Sequence, residues 1–570
     1  MGKDSEFMMY EMKFVRNSTG IGYFSCVPAN DMGVDEIIEY LRDHPNDLFM
    51  HNYLLFRLVE FDEDGLETLI NKKNEDPLLL AAVYQAAVLY DGFHAIRKKI
   101  EQGDVAQLAR HTPLMFIRWA LDKDCPSRCY WMNLLSENVY NHTPLPYPED
   151  VEFPVPFDFK GIDEDEKKLI HIRDVSSQSD GKSFNVGISL RTTTAKATVE
   201  KILNRLTAVN LLTETEKRTV RSLSPYALER SWNLDLQVST GRNRWRLTGP
   251  QTSYGKGVEE DGARASYLME MVERYSSFAS FSNNEVIGYN KRFNLVKSSY
   301  TQLKVKGFNV LDPNVMNLEV AYEDQELYWI VGEELEENGS REIYVPAQFI
   351  FLFCNLDEIS LTSGMSSNGL AAGNTLDGAK LHALIEYIER DSERVALYSK
   401  ERCFLLEAED PAIDHTLKAC KEKGLHIQFL DMTSDLGIPC YKAFVQTVQG
   451  TIFKGCAADL NGKIAAASAL TELAYPTFAK SAPPPAGLKT VKYEQLPNYS
   501  SGDVRQDLHM LERFLLLNGF KPIYVNLTRK DLDIPVVRAI IPGLELMAIL
   551  DRFSNFSKRQ FRNYLKLPLK

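Results

Sequence analysis

The chain has 570 residues, enough for about two to four domains, and its 44% hydrophobic and 25% charged residues are those of an ordinary globular protein. A net charge of −13 argues against a general nucleic-acid or acidic-membrane binder. No apolar run reaches the roughly 18 to 20 residues that span a bilayer, and the first six residues lack the basic start and apolar core of a signal peptide.

Residues 8–30 predict a short β segment. Tyr10-Glu-Met-Lys-Phe-Val15 alternates loosely, Asn17-Ser-Thr-Gly20 is turn chemistry, and a second run follows from Ile21. From Asp35 the period turns helical, predicting helices over 35–42, 47–60, 65–73, 77–90, 93–102 and 105–121. Two helix pairs recur at a spacing of about 29 residues, opened by Asn46-Asp47 and Glu75-Asp76. Residues 1–140 therefore read as a mostly helical unit, either a plain bundle or a stack of helical hairpins that presents a face to a peptide or partner. The eight cysteines are scattered, and Cys125 and Cys129 lack the second pair or nearby His of a zinc site. Reduced thiols in the cytoplasm are expected.

Residues 141–184 read as a Pro-rich, acidic linker carrying Pro144, Pro146, Pro148, Pro154 and Pro156. The second unit runs from 185 to 570, with residues 481–501 expected as a long loop.

The chemistry lies in a duplication within that unit. Residues 257–276 and 373–392 align without a gap and share nine of twenty residues. The identities include Gly257/Gly373, Asp261/Asp377, Gly262/Gly378, Glu270/Glu386, Glu273/Glu389 and Arg274/Arg390. A fainter third copy, Ala465 to Tyr475, keeps the first glutamate as Glu472 and has Tyr475 at the second. Each copy predicts an amphipathic helix with Glu-x-x-Glu-Arg on one edge. A single such edge would be a solvated surface. A duplicated one predicts a pseudo-symmetric α/β core that gathers four carboxylates, which repel one another and take up protons unless a hard divalent cation compensates them. The small-residue segments Gly255-Lys256-Gly257 and 369–374 precede these helices, whose N-termini with accessible N–H groups suit phosphate.

At these residues the chain resembles the YcaO family of ATP-using enzymes that activate peptide-backbone amides. The matching stretches are Gly255-Lys-Gly with Ser266, Glu270, Glu273-Arg274-Tyr275, then Gly369 to Asn374 with Glu386 and Glu389-Arg390-Asp391, and a third from Asp507 through Asn526-Leu-Thr-Arg529 and Arg538 to Glu545. The resemblance spans roughly residues 190–545 and leaves the N-terminal region outside it.

It implies a YcaO-like α/β (α+β) catalytic domain behind the helical N-terminal domain, with ATP and Mg²⁺ as cofactors. The family's Mg²⁺-holding glutamates match Glu270, Glu273, Glu386 and Glu389. Its nucleotide contacts match Arg191, Thr198, Ser266, Asn374 and Arg390, with Lys256 as a further basic candidate. Three departures stand out: Ser468 replaces the arginine common in the third copy, Tyr475 and Thr477 replace a later Gln-x-Arg, and Ala371 stands where some relatives have Ser. The C-terminus keeps only Pro568 of the Pro-x-Pro-x-Pro found in azoline-forming members, which favours thioamide formation with an external sulfur donor. Expected partners are a peptide or protein substrate and a sulfur-donor or modification protein, with no nucleic acid or membrane; a homodimer stays open. The competing expectation is a nucleotide-binding accessory protein that serves a partner enzyme, as in ribosomal protein methylthiolation.

Overall fold

The structure, a computed structural model, describes residues 7–16, 22–73, 75–157, 169–176, 194–219, 222–364, 366–473, 480–545 and 550–567. The first β segment forms the antiparallel strands β1 (Met8–Arg16) and β2 (Gly22–Pro28). Helices follow near the predicted places: α1 (Val34–Asp43), α2 (Leu48–Leu58), α3 (Glu63–Lys72), α4 (Pro77–Leu89) and α5 (His94–Ile100). Asp47, Asp62 and Asp76 cap three of them by accepting backbone N–H groups of the first turn.

The helix predicted over 105–121 is interrupted. One turn over Val105–Leu108 is followed by extended Thr112 before Pro113, and α6 (Phe116–Lys123) starts afresh. The proline ring disfavours helical backbone in the residue ahead of it, and apolar periodicity alone does not register this. A long helix, α7 (Pro126–Asn141), was not anticipated. Helix α4 is buried on nearly every side, with α2, α5 and α6 packed around it, as in a bundle with a central member.

The N-terminal strands do not stand apart. β1 pairs in parallel with β4 (Asn243–Gly257), which forms a long hairpin with β3 (Tyr226–Thr240), so the first sheet runs β2-β1-β4-β3 and continues into short strands over 280–294. Residues 143–157 have no regular structure. They nevertheless lie against α7 and the C-terminal helix: the Trp131 indole donates to the Pro154 carbonyl at 2.9 Å, and the Tyr564 hydroxyl to that of Pro146 at 2.9 Å.

Helix α8 (Ala195–Ala208) packs on α9 (Glu260–Ser277), which follows β4. The second sheet comprises β5 (Leu327–Glu336), with a short strand over Val296–Ser298 paired beside it, β6 (Gly339–Pro346), β7 (Leu370–Ala372) and two later strands, and α10 (Leu376–Val395) follows its edge strand β7. The third is built from β8 (Cys403–Glu407), β9 (Gln428–Asp431), β10 (Cys440–Gln446), β11 (Ile452–Ala458) and β12 (Lys489–Lys492) in the order β11-β10-β9-β8-β12. Helix α11 (Gly462–Glu472) follows its edge strand β11. The second sheet is completed by β13 (Ile523–Asn526) and β14 (Val536–Ile540) in the order β6-β5-β13-β14-β7, and the described chain closes with α12 (Lys558–Lys566). The result is a mixed α/β fold with a largely helical N-terminal region. Among the described residues no helix is long and apolar enough to cross a membrane.

Candidate active site

The three sequence copies are three strand–helix units, one from each sheet. Their helices begin at equivalent residues: the N-caps are Glu259, Thr375 and Asn461, each eleven residues before Glu270, Glu386 and Glu472. The leaders match as well. A Cβ added to Gly257 would meet Ala263 N at 3.2 Å, and one added to Gly373 would meet Ala379 N at 2.5 Å, so each small residue lets its strand end lie against its own helix. Each helix packs on its own strand and also touches the strand of the next copy, α9 on β7, α10 on β11 and α11 on β4, which closes a ring of three. The duplicated helices thus share strands around the ring.

The carboxylates are held by this frame. Glu270 accepts from the Tyr254 backbone N–H at 2.7 Å, and Glu472 accepts from that of Cys456, sixteen residues upstream in both copies. Glu389 Oε2 accepts from Ala458 N at 3.1 Å on the next copy's strand. Glu273 lies 2.5 Å from Arg274 Nη1, and Glu389 Oε1 lies 3.1 Å from Arg390 Nη1. The Lys256 ammonium donates to the Glu472 carbonyl at 3.0 Å, joining the first copy to the third.

Burial dominates the electrostatics. It pushes Glu273 well above the usual carboxylate range against the pull of Arg274, with Glu386 and Glu270 pushing further. Burial likewise raises Glu386 against Arg390, Arg274 and Arg538, while Glu389 is pushed up to about 8. Glu472 is raised by burial against Arg390 and Lys256. Glu472 nevertheless keeps exposed surface, so its charge is partly hydrated. Burial works against the charges of Arg274 and Arg390, yet the surrounding glutamates outweigh it and hold both guanidiniums protonated. Among the described residues no three of His, Cys, Asp and Glu are placed to hold an ion unaided.

Other predicted site residues are distributed around this cluster. Asn374 donates to Thr198 Oγ1 at 2.8 Å, and its own carbonyl oxygen Oδ1 is buried without a partner. This pair sits at the start of α10, about 18 Å along the helix from Glu386. Ser266 is exposed one turn before Glu270 on the same face of α9. Arg191, Tyr475, Thr477 and Pro568 lie outside the described residues.

Four participants escaped the sequence-based site assignment. Glu472 had been visible only as the surviving glutamate of the third copy. Arg538 on β14 is fully buried and donates to the Phe349 and Ser366 carbonyls at 3.2 and 3.0 Å, while its Nη1 has no partner. Burial lowers its pKa to about 10, and Glu386 and Glu273 sustain its charge. Glu393 and Lys454, sixty-one residues apart, form an ion pair behind Arg390.

Part of the chain is similar to known proteins. The family model described as YcaO cyclodehydratase, ATP- and Mg²⁺-binding, matches residues 254–482 and 476–545, half of the chain. A protein of Methanothermobacter thermautotrophicus is 28% identical over 333 residues, covering 52% of this chain and 82% of its own length. A protein encoded in the region 3′ of tfuA in Rhizobium leguminosarum bv. trifolii is 25% identical over 361 residues, covering 55% and 81%. Among solved structures, a heterocyclase in complex with substrate and cofactor aligns at 22% identity and TM-score 0.48, over 62% of this chain and 53% of that one. YcaO from Methanopyrus kandleri bound with AMPPCP and Mg²⁺ aligns at 20% identity and TM-score 0.45, over 65% and 96%. The chain belongs to the YcaO family of ATP- and Mg²⁺-binding, amide-activating enzymes.

Proposed function

We propose that the chain activates a backbone amide of a peptide or protein for exchange of its oxygen by sulfur. The observation that carries this reading is the convergence of Glu270, Glu273, Glu386, Glu389 and Glu472 with Arg274, Arg390 and Arg538 in one charged cluster. Such a cluster is poorly compensated by itself. Mg²⁺ takes only one or two protein carboxylates and completes its octahedron with phosphate oxygens and water, so a site that needs the nucleotide to finish it is the expected form.

In this reading Glu270, Glu273, Glu386 and Glu389 are the glutamates that hold Mg²⁺, one or two of them to each ion. Thr198, Lys256, Ser266, Asn374, Arg390 and Arg191 contact the nucleotide. The unpartnered Asn374 Oδ1 supports a polar ligand at the start of α10, because a buried acceptor left unpaired is costly. Arg538, with Nη1 free, supports the view that the basic charge missing at Ser468 comes from β14.

Amide resonance makes the carbonyl carbon a poor electrophile. When bound, ATP would supply the γ-phosphoryl group, its charge neutralised by Mg²⁺, that makes the amide oxygen a phosphate leaving group, so that a hydrosulfide could form the C–S bond as the C–O bond breaks and phosphate and the sulfur-bound proton depart. The protein's share is to hold the reactants in line and to keep Arg274, Arg390 and Arg538 charged beside the place where negative charge develops. The Rhizobium relative's location beside tfuA supports a reaction shared with the product of a neighbouring gene. Residues 1–140 are assigned to recognition of that peptide or partner, with the catalytic unit from 185.

The test is ATP hydrolysis with and without peptides encoded near the gene, followed by intact-mass analysis in the presence of a sulfide source. Peptide-stimulated ADP release with a mass gain of sulfur for oxygen supports the proposal. Loss of water from the peptide instead would assign azoline chemistry, and nucleotide binding without ADP release under any condition would assign an accessory role.

A further inference from the structure

Arg390 is held at one nitrogen, Nη1, by two carboxylates of its own helix, Glu389 Oε1 at 3.1 Å and Glu393 Oε2 at 3.2 Å. Glu393 lies outside the repeat motif, and the aligned residue of the first copy is Ser277. Its other oxygen, Oε1, pairs with the Lys454 ammonium and accepts from Cys456 Sγ at 3.7 Å. Lys454 and Cys456 alternate along β11, so both project from one face of the sheet toward α10. The Lys454 ammonium also lies over the Tyr140 ring, 5.6 Å from its centroid. Tyr140 belongs to α7, and its hydroxyl accepts from Leu550 N at 2.7 Å.

This assembly is buried where it matters, since the Glu393 side chain keeps 8% of its surface. Arg390 has Glu386, Glu389, Glu393 and Glu472 within electrostatic reach and could turn toward any of them. A carboxylate anchored by a lysine of another sheet removes that freedom on one side. Only the remaining donors of the guanidinium are left for the cluster.

We infer that Glu393 is a positioning residue for Arg390, with Lys454 as its anchor and Tyr140 as the cover that links the N-terminal helices to the cluster. The inference rests on the assignment of Arg390 to the nucleotide. Glu393 touches neither substrate nor metal; it acts through the arginine.

The experiment compares affinity for a non-hydrolysable ATP analogue with Mg²⁺, by calorimetry on the full chain, across Glu393→Gln, Lys454→Met, Lys454→Arg and Arg390→Ala. Glu393→Gln and Lys454→Met are expected to weaken nucleotide binding about tenfold, the scale of lost outer-layer support at a ligand site, and Lys454→Arg to restore most of it. In the Arg390→Ala background, Glu393→Gln should change affinity less than about twofold, because a residue that acts only through the arginine has nothing left to position. If Glu393→Gln does not fold, Lys454→Met carries the same comparison. Wild-type affinity in folded Glu393→Gln, or losses that multiply in the double variant, overturn the inference alone. Absence of nucleotide binding in the unsubstituted chain overturns it together with the functional reading.

Discussion

Asp391 Oδ1 lies 2.6 Å from Arg559 Nη1, and this pair ties the C-terminal helix α12 to the residue that directly follows Arg390. Asp391 has no exposed surface; its Oδ1 also accepts from Glu545 N at 2.9 Å, and its Oδ2 has no partner. Burial pushes its pKa upward even though Arg559 pulls it down, so the pair is held rather than solvated. Nearby, Arg394 donates to Gln560 Oε1 at 2.8 Å and Asn563 donates to the Val395 carbonyl at 2.9 Å. The end of α10 is therefore clamped by the end of the chain.

Replacing Arg559 by Met leaves Asp391 uncompensated in the interior. A loss of about 3 to 5 kcal/mol is expected, seen as a clear fall in melting temperature. Pairing Arg559→Met with Asp391→Leu should recover much of it, since the charge is removed together with its partner. An unchanged melting temperature in the single variant would show that the clamp contributes nothing to stability.

The repeat units make opposite predictions for two glycines only seven residues apart. A Cβ on Gly255 would lie 2.0 Å from the Ala263 carbonyl and 2.5 Å from Tyr267 N, both backbone atoms of α9 that cannot swing away. Gly255→Ala should push β4 off its helix and greatly reduce soluble yield or melting temperature. Gly262, in the first turn of α9, has nothing within 4 Å of an added Cβ. Gly262→Ala should stabilise by about 0.5 to 1 kcal/mol through lower unfolded-state entropy and better helix propensity. Denaturant midpoints of the two variants check both signs at once.

The contrast between these glycines also marks what the sequence can reveal. The duplication was legible because local contacts within a strand–helix unit constrain every copy alike, which fixed Gly257 with Gly373 and the two glutamates of each helix. The ring of three units was not, because it depends on which strand each helix meets in the next copy. Long-range pairs such as Glu393 with Lys454 leave no periodic trace. The break at Thr112-Pro113 carried a local signal, but the apolar period of 105–121 masked it. Residues 143–157 show the limit of composition: prolines and acids suggested a spacer, while Phe153, Val155 and Phe157 pack beside Trp131 and Phe561.

Away from the cluster, Glu358 offers a pH test. It is buried, accepts from Tyr328 N at 2.5 Å and from Gln348 Nε2 at 2.9 Å, and burial pushes its pKa up to about 8 despite those bonds. In the unfolded chain the group titrates near about 4.3. A raised folded pKa means that its protonated form favours the native state: the contribution is complete below the unfolded value and is lost as pH rises toward about 8. Glu358→Gln removes this dependence. The melting temperature of the variant relative to the unsubstituted protein should therefore climb between pH 5 and pH 8, the window set by these two pKa values. A constant difference across that range would mean that Glu358 does not titrate there.

Glu386 connects stability to activity. Burial raises its pKa more than Arg390, Arg274 and Arg538 pull it down, and Glu472 adds a smaller repulsion. In the ligand-free protein this carboxylate is a source of strain, so Glu386→Gln should melt no lower than the unsubstituted chain. The same substitution should remove the thermal stabilisation given by Mg²⁺ with ATP, worth about 2.7 kcal/mol when ligand stands at about a hundred times its dissociation constant. Peptide-dependent ADP release should fall at least about a hundredfold, as expected for a group that neutralises or orients charge at the reacting phosphate. Glu472→Gln serves as the internal comparison. It occupies the equivalent helix position in the third copy, whose second glutamate is absent, and should weaken nucleotide stabilisation by less than Glu386→Gln does. Equal losses in the two variants would make Glu472 a full member of the metal site. Retention of both thermal stabilisation and turnover in a doubly substituted Glu386→Gln, Glu389→Gln protein would remove α10 from the catalytic machinery.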